Sequence, residues 1–389
     1  MKKRVSFVLL PILSFCLSSC VKVPNEVKIV HGIINIKSIH TSYQQDYLAE
    51  EDPTDYINEH YYDFNNPAKV EGNITSIPVP TRVTFEVETD NGANATSYIV
   101  RYGESSDKLD SSYTVNDKYA DLYNLKMNTT YFYQVEAVYG KTGFKSEINT
   151  FKTYSDTKLR NMYVPGVENF RDLGGYVLEN GKHFKQGMLY RSAQFNYDTS
   201  KDNAIKSAPN EEGKRVLLEN LKIKTDADFR EKSNKKGEDE TAGLSNTSPL
   251  GSQVKYAYLP MRYGGSNVIT ETMNKDSILT FLNLLADESN YPVVFHCIQG
   301  KDRTGALAYV IEALLGVSED SMKRDYLFTN FAQVGAGKTS FPDGSAYYPR
   351  QISNEEGSTI SEKARNYLKK WIGVSDQTLD KIINILSEQ

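Results

Sequence analysis

One run constrains this chain more than any other: Val293-Val294-Phe295-His296-Cys297-Ile298-Gln299-Gly300-Lys301-Asp302-Arg303-Thr304-Gly305. It reads as a buried apolar strand, a tight loop, and a helix from about Thr304 to Leu315. Free N–H groups at the start of a helix, together with the positive end of its dipole, make an anion site. Two side chains suit that site to a phosphoryl group. Cys297 opens the loop, where the same dipole and N–H groups favour the nucleophilic thiolate. Arg303 closes it, and its planar fork can hold two phosphate oxygens at once.

The string His296-Cys297-x5-Arg303-Thr304-Gly305 resembles the phosphate loop of the protein tyrosine phosphatase superfamily. The fuller run from His296 to Gly305 is similar to bacterial tyrosine phosphatases of broad specificity, some of which also hydrolyse phosphoinositides. Asn169-Phe170-Arg171-Asp172-Leu173-Gly174-Gly175 and Tyr190-Arg191-Ser192-Ala193 fit the same branch, so the resemblance covers roughly residues 160–389.

With 389 residues the chain has room for two or three domains. Its net charge of −5 argues against general nucleic-acid binding. The first residues read as a targeting segment: Lys2, Lys3 and Arg4, then a short apolar run from Val5 to Leu17. Leu17-Ser18-Ser19-Cys20 resembles the lipobox of bacterial lipoproteins. That implies a signal peptide over 1–19, lipidation at Cys20, and an exported protein anchored to the cell envelope by its acyl chains. Of the three cysteines, Cys16 would leave with the signal and Cys20 would be lipidated. Cys297 then remains as the one thiol, without a disulfide partner.

Residues 20–75 are polar and weakly patterned, and read as a tether with a strand at Val27–Ile36 or as a small ordered cap. Residues 76–154 read as a small all-β sandwich. Alternation marks strands at Arg82–Glu88, Ser97–Tyr102 and Tyr131–Val138. Leu125 to Tyr133 resembles the late-strand signature of fibronectin type III modules, in which a Leu precedes a corner Tyr. A spacer role suits that module better than ligand binding.

From residue 160 to 389, strands alternate with helices. Strands are expected at Met188–Arg191, Lys222–Phe229 and Val254–Leu259. Helices are expected at Glu212–Leu221, Lys275–Asp287, and near 319–329, 361–371 and 376–387. The fold class is therefore α/β: a cysteine-phosphatase sheet covered by helices, preceded by the β-sandwich.

The chemistry expected of this loop is attack by Cys297 on phosphorus. The N–H groups from Ile298, Gln299, Gly300 and Lys301 through Arg303 would stabilise the equatorial oxygens. Thr304 is a candidate donor to the Cys297 sulfur, and His296 an orienting residue. Neither a metal nor another cofactor is called for. The stretch Tyr258–Asn267 holds no acid, and the resembling branch implies Asp302 as proton donor, with loop stabilisation as the competing role. Asp276 and Asp287 look like helix-end residues. Arg171, Asp172, Arg191 and Arg230, with Asp228, are expected to support the loop through charge pairs. Lys301 adds a second cation suited to polyanions, and Tyr176 and Tyr263 are candidates for an aromatic wall. The expected substrates are phosphotyrosine proteins, with phosphoserine and phosphothreonine, phosphoinositides or inositol phosphates as further candidates. A non-catalytic surface protein that binds through its β-module is the alternative from another class.

Overall fold

The computed structural model describes residues 21–34, 37–60, 63, 77–154, 158–197, 199, 205–232, 246–263, 268–334 and 339–389. Cys20 and the signal segment lie outside these, as do residues 264–267.

Two sheets form the first unit. Val27–Ile34, Thr81–Thr89 and Tyr119–Leu122 make one, all antiparallel. The other is built on Ser111–Val115, Ser97–Gly103, Thr130–Tyr139 and Thr142–Lys145, with Asn149–Lys152 also pairing to Thr130–Tyr139. Alternation decides which side chains face inward. Val83 and Phe85 from one sheet meet Tyr98, Val100, Tyr131, Tyr133 and Val135 from the other in a single core. The Tyr131 hydroxyl accepts a hydrogen bond from the Lys126 amide at 2.9 Å, the geometry of a tyrosine corner.

The second unit holds a six-stranded sheet in the order Lys255–Tyr258, Thr225–Asp228, Val293–His296, Leu189–Ser192, Arg171–Asp172, Arg160–Asn161. The first four strands are parallel and the last two antiparallel to their neighbours. Helices Lys275–Leu285, Asp302–Leu315, Glu319–Leu327, Ile360–Tyr367 and Asp376–Leu386 cover it, and their apolar faces share one core with the sheet. This is the expected α/β class, with some changes of extent. The helix expected over Glu212–Leu221 is α-helical only at Glu211–Arg215 and continues as a π-turn over Val216–Asn220.

The two units are joined by paired hydrogen bonds. Asn124, at φ +66°, donates to the Tyr163 carbonyl and accepts from the Tyr163 amide, each at 2.7 Å. Gln186 makes the same reciprocal pair with Met127, at 2.8 and 3.1 Å. Lys222 donates to Asp110 at 2.5 Å.

The tether reading of residues 20–75 does not hold for most of the described part. The strand expected from Val27 is present over Val27–Ile34, and it is paired into a sheet. Ser42–Ala49 and Pro53–Glu59 are helices, and Tyr47, Leu48, Tyr56 and Ile57 are buried in the core of the second unit. Burying such side chains stabilises by about 1.5–3 kcal/mol each, against a typical domain stability of about 5–15 kcal/mol. This arm is therefore part of the fold. Its helices lack a strong apolar period, but their caps were legible. Thr41 and Gln44 form a capping box, and Pro53 follows the N-cap Asp52.

Candidate active site

The strand Val293–His296 is buried throughout and lies between two parallel neighbours, with His296 opposite both Ser192 and Asp228. The loop that follows thus leaves the middle of the sheet at the C-terminal ends of its strands, where open α/β sheets place their ligands. The helix begins at Asp302, two residues earlier than the sequence suggests. Its first turn therefore aims N–H groups without intrahelical partners back at the loop. Gly300 has φ +66°, and a Cβ there would lie 2.3 Å from the Ser192 carbonyl oxygen. The loop packs this closely on the neighbouring strand only because that residue is glycine.

Cys297 is a free thiol, 2 % exposed. Arg303 is 3 % exposed, and its Nη1 donates to the Phe229 and Met261 carbonyls, each at 3.2 Å. These bonds fix the guanidinium from the side of the neighbouring strand. Asp302 is held above the usual carboxylate range by burial, against the opposing pull of Lys301, Arg303 and its own amide. The Thr304 hydroxyl is fully buried and has no hydrogen-bond partner among the described residues, so the expected bond to the Cys297 sulfur is not made. Of the two candidate wall tyrosines, Tyr176 is buried, beside Asp325 and Glu312. Tyr263 is 48 % exposed and feels Asp302, Arg303 and Cys297.

The loop is braced from beneath. Arg191 donates to the Gly300 carbonyl at 2.7 Å and to the Asp325 carboxylate. Arg171 donates to the other Asp325 oxygen at 2.8 Å and to the Asn169 side chain. Asn169 completes the circuit by donating to the Gln299 carbonyl at 3.0 Å and the Gly300 carbonyl at 3.3 Å. The Ile298 carbonyl accepts from the Gln194 amide at 3.1 Å. His296 contacts the Cys297 carbonyl at 3.3 Å through Nδ1 and Asp226 at 3.0 Å through Nε2.

The remaining charged residues divide. Arg230 grips Asp228, at 2.7 Å for the shortest bond, and reaches Asn196 and Gln194. Burial would raise the Asp228 carboxyl, but His296 and Arg230 together hold it below its usual range. Arg230 thus acts on the loop at one remove. Asp172, expected to support the loop, serves the sheet edge instead. Its carboxylate accepts from the Gly174 and Gly187 amides at 2.7 and 2.6 Å and pairs with Arg160. Asp276 lies in the first turn of Lys275–Leu285, and Asp287 caps the turn at Glu288–Asn290.

Sequence reading missed Asp325, Asn169 and Glu312. Glu312 lies on the helix that follows the loop, is fully buried, and neither carboxyl oxygen has a hydrogen-bond partner among the described residues. The apolar period of that helix, broken by one acid at Glu312, was the available signal. Among the described residues no group of side chains could hold a metal ion.

The arrangement is an anion cradle with a thiol at its base, an arginine clamp and a carboxyl at its rim. In the Cupriavidus necator proteome a protein with a provisional tyrosine-protein phosphatase name is 27 % identical over 180 residues. The match covers 42 % of this chain, and the chain spans 61 % of that relative's length. Among solved structures, the catalytic core of the Saccharomyces cerevisiae PP-IP phosphatase Siw14 is 17 % identical, covering 54 % of this chain and 92 % of its own, at a TM-score of 0.29. Pseudomonas aeruginosa TpbA is 22 % identical, covering 40 % and 88 %, at 0.22. Scores this low leave the fold to be argued from its own strands and loop. The sequence profile described as "Tyrosine phosphatase family" matches residues 162–388, more than half of the chain. By that match, the chain belongs to the tyrosine phosphatase family.

Proposed function

We propose that this protein hydrolyses phosphate monoesters through a phosphocysteine, with phosphotyrosine as the favoured substrate class. One observation carries the reading: a buried free thiol and a buried, carbonyl-anchored arginine bracket a loop that opens onto a helix N-terminus. In the first step the Cys297 thiolate attacks phosphorus. An S–P bond forms, the P–O bond to the leaving group breaks, and Asp302 gives that oxygen its proton. The loop N–H groups and Arg303 hold the equatorial oxygens through the transition state. Water then attacks phosphorus, gives a proton to the Asp302 carboxylate, and releases orthophosphate and the thiolate. Burial of Asp302 supports its role, because a raised carboxyl keeps its proton closer to neutral pH.

Tyr263, half-exposed beside the loop, supports an aryl substrate, because an aromatic face there would pack on a phenyl ring. Lys301 supports the second reading, an inositol phosphate or phosphoinositide, because it places another cation next to the phosphate. The lipobox-like Leu17-Ser18-Ser19-Cys20 supports export and lipid anchoring, which would hold the enzyme at the cell envelope. The three-strand and five-strand sheets, with their tyrosine corner, support a fibronectin type III-like spacer.

A panel of phosphotyrosine peptides, phosphoserine peptides, phosphoinositides and phytate, presented to residues 21–389, tests the reading. Turnover should be fastest on phosphotyrosine. Preference for phytate would move the assignment to inositol phosphates, and no turnover on any of them would remove it.

A further inference from the structure

The helical pair Ser42–Ala49 and Pro53–Glu59 precedes the region matched by the family, yet it belongs to the core of the catalytic unit. Its contacts converge on one short segment. The Tyr47 hydroxyl donates to the Arg324 carbonyl at 2.8 Å. Arg324 returns bonds from Nη1 to the Tyr47 carbonyl at 2.9 Å and from Nη2 to the Glu50 carbonyl at 2.5 Å. Lys323 donates to Asp52 at 3.0 Å. Immediately after Arg324 comes Asp325, the carboxylate shared by Arg171 and Arg191.

A second route runs through rings. The Tyr47 and Phe328 centroids are 6.2 Å apart, and the Arg171 guanidinium lies 5.7 Å from the same Phe328 ring. Arg171 holds Asn169, and Asn169 holds the Gln299 and Gly300 carbonyls of the loop. Both routes are continuous contacts from the N-terminal arm to the phosphate loop. A bridging carboxylate serves two arginines only at one position, so a small drift of its helix would release one of them and the loop carbonyl behind it.

We propose that residues 42–59 are an in-cis positioning element for the phosphate loop, acting through Tyr47 and Arg324 on the segment that carries Asp325. The catalytic readout of this proposal rests on the phosphatase reading, but its binding readout does not.

The test compares Tyr47→Phe, Arg324→Gln and Arg324→Lys with wild type, all as residues 21–389. Three quantities are measured well below each variant's Tm: kcat/KM on an aryl and on an alkyl phosphate, and affinity for vanadate. Arg324→Gln should lose roughly tenfold in kcat/KM, and Tyr47→Phe roughly 2–5-fold, within the range by which distant packed residues modulate a coupled site. The loss should appear with both leaving groups, because the cradle that holds the transferred phosphoryl group is common to both. Vanadate affinity should fall in parallel, and Arg324→Lys should recover part of both. A lowered Tm, with kcat/KM and vanadate affinity within twofold of wild type, would reduce the arm to a stability element and overturn the proposal. Should Arg324→Gln not fold, Tyr47→Phe, which removes one oxygen, decides alone. A wild type without turnover would instead remove the phosphatase reading, and vanadate titration would still report on the loop.

Discussion

Asp302 sits where the loop becomes a helix, and its two candidate roles, proton donor and loop support, predict different outcomes. Burial holds its carboxyl above the ordinary 3.8, so the donor role predicts activity that falls once the pH passes that raised value. Asp302→Asn preserves size but cannot deliver a proton. An alkyl phosphate, with its poor leaving group, should lose roughly 10²–10⁴-fold in kcat/KM. An aryl phosphate with a strongly acidic phenol should lose little, and the alkaline limb of the pH–rate profile should flatten. Equal losses on both substrates would assign Asp302 to loop support. Cys297→Ser removes the nucleophile and leaves the cradle, so turnover should vanish while vanadate or phosphate still binds, measured by calorimetry. Substantial residual turnover would place the nucleophile elsewhere.

At the scale of elements, the loop was legible because its chemistry needs contiguous residues: Cys297, Gly300, Asp302 and Arg303 fall within one strand–loop–helix. Its brace was not legible. Asp325 meets Arg171 and Arg191 across 154 and 134 residues, distances no local pattern encodes. Asp172 misled for the same reason, since its place beside Arg171 says nothing about the opposite face of a strand, where it points. Gly300→Ala should disrupt the loop outright, by the Cβ clash with Ser192 and the positive φ, and lower kcat/KM by at least tenfold. Wild-type activity in that variant would show that the loop can relax.

Glu312 gives a second test at this scale. Burial, reinforced by Asp325 and opposed by Arg191 and Arg171, raises it well above the ordinary 4.5. The folded state therefore binds this proton more tightly than the unfolded one. Its stabilising contribution is complete below pH 4.5 and is lost as pH rises toward the folded-state value. Glu312→Gln should lack that loss. The Tm of the variant relative to wild type should therefore increase between pH 4.5 and 8, followed by thermal melts. A difference that shrinks with pH would mean an ionised, arginine-paired Glu312.

Over the whole molecule, strand alternation and the change to strand–helix alternation near residue 160 marked both units, but not how they join. That joint rests on residues such as Asn124, whose left-handed backbone and reciprocal bonds to Tyr163 are set by tertiary contact. Asn124→Ala should cost roughly 1–3 kcal/mol, since it strands the Tyr163 amide and carbonyl. Denaturant melts followed separately through each unit measure it. Coincident, unshifted midpoints would show the joint to be energetically idle.

The Tyr47–Arg324 contact spans 277 residues. A ribosome adding roughly 5–20 residues per second makes the second partner tens of seconds after the first. Through that interval Tyr47, Leu48, Tyr56 and Ile57 have no surface to cover them, because the core they enter is completed by helices near the end of the chain. The phosphate loop is finished before its brace, since Asp325 follows Arg303 in the sequence and the arm can close only on the helix that carries it. The nascent polypeptide therefore carries Cys297 for a time without the contacts that brace its loop. Competence is acquired late, when the helices of the arm dock on one made long after them.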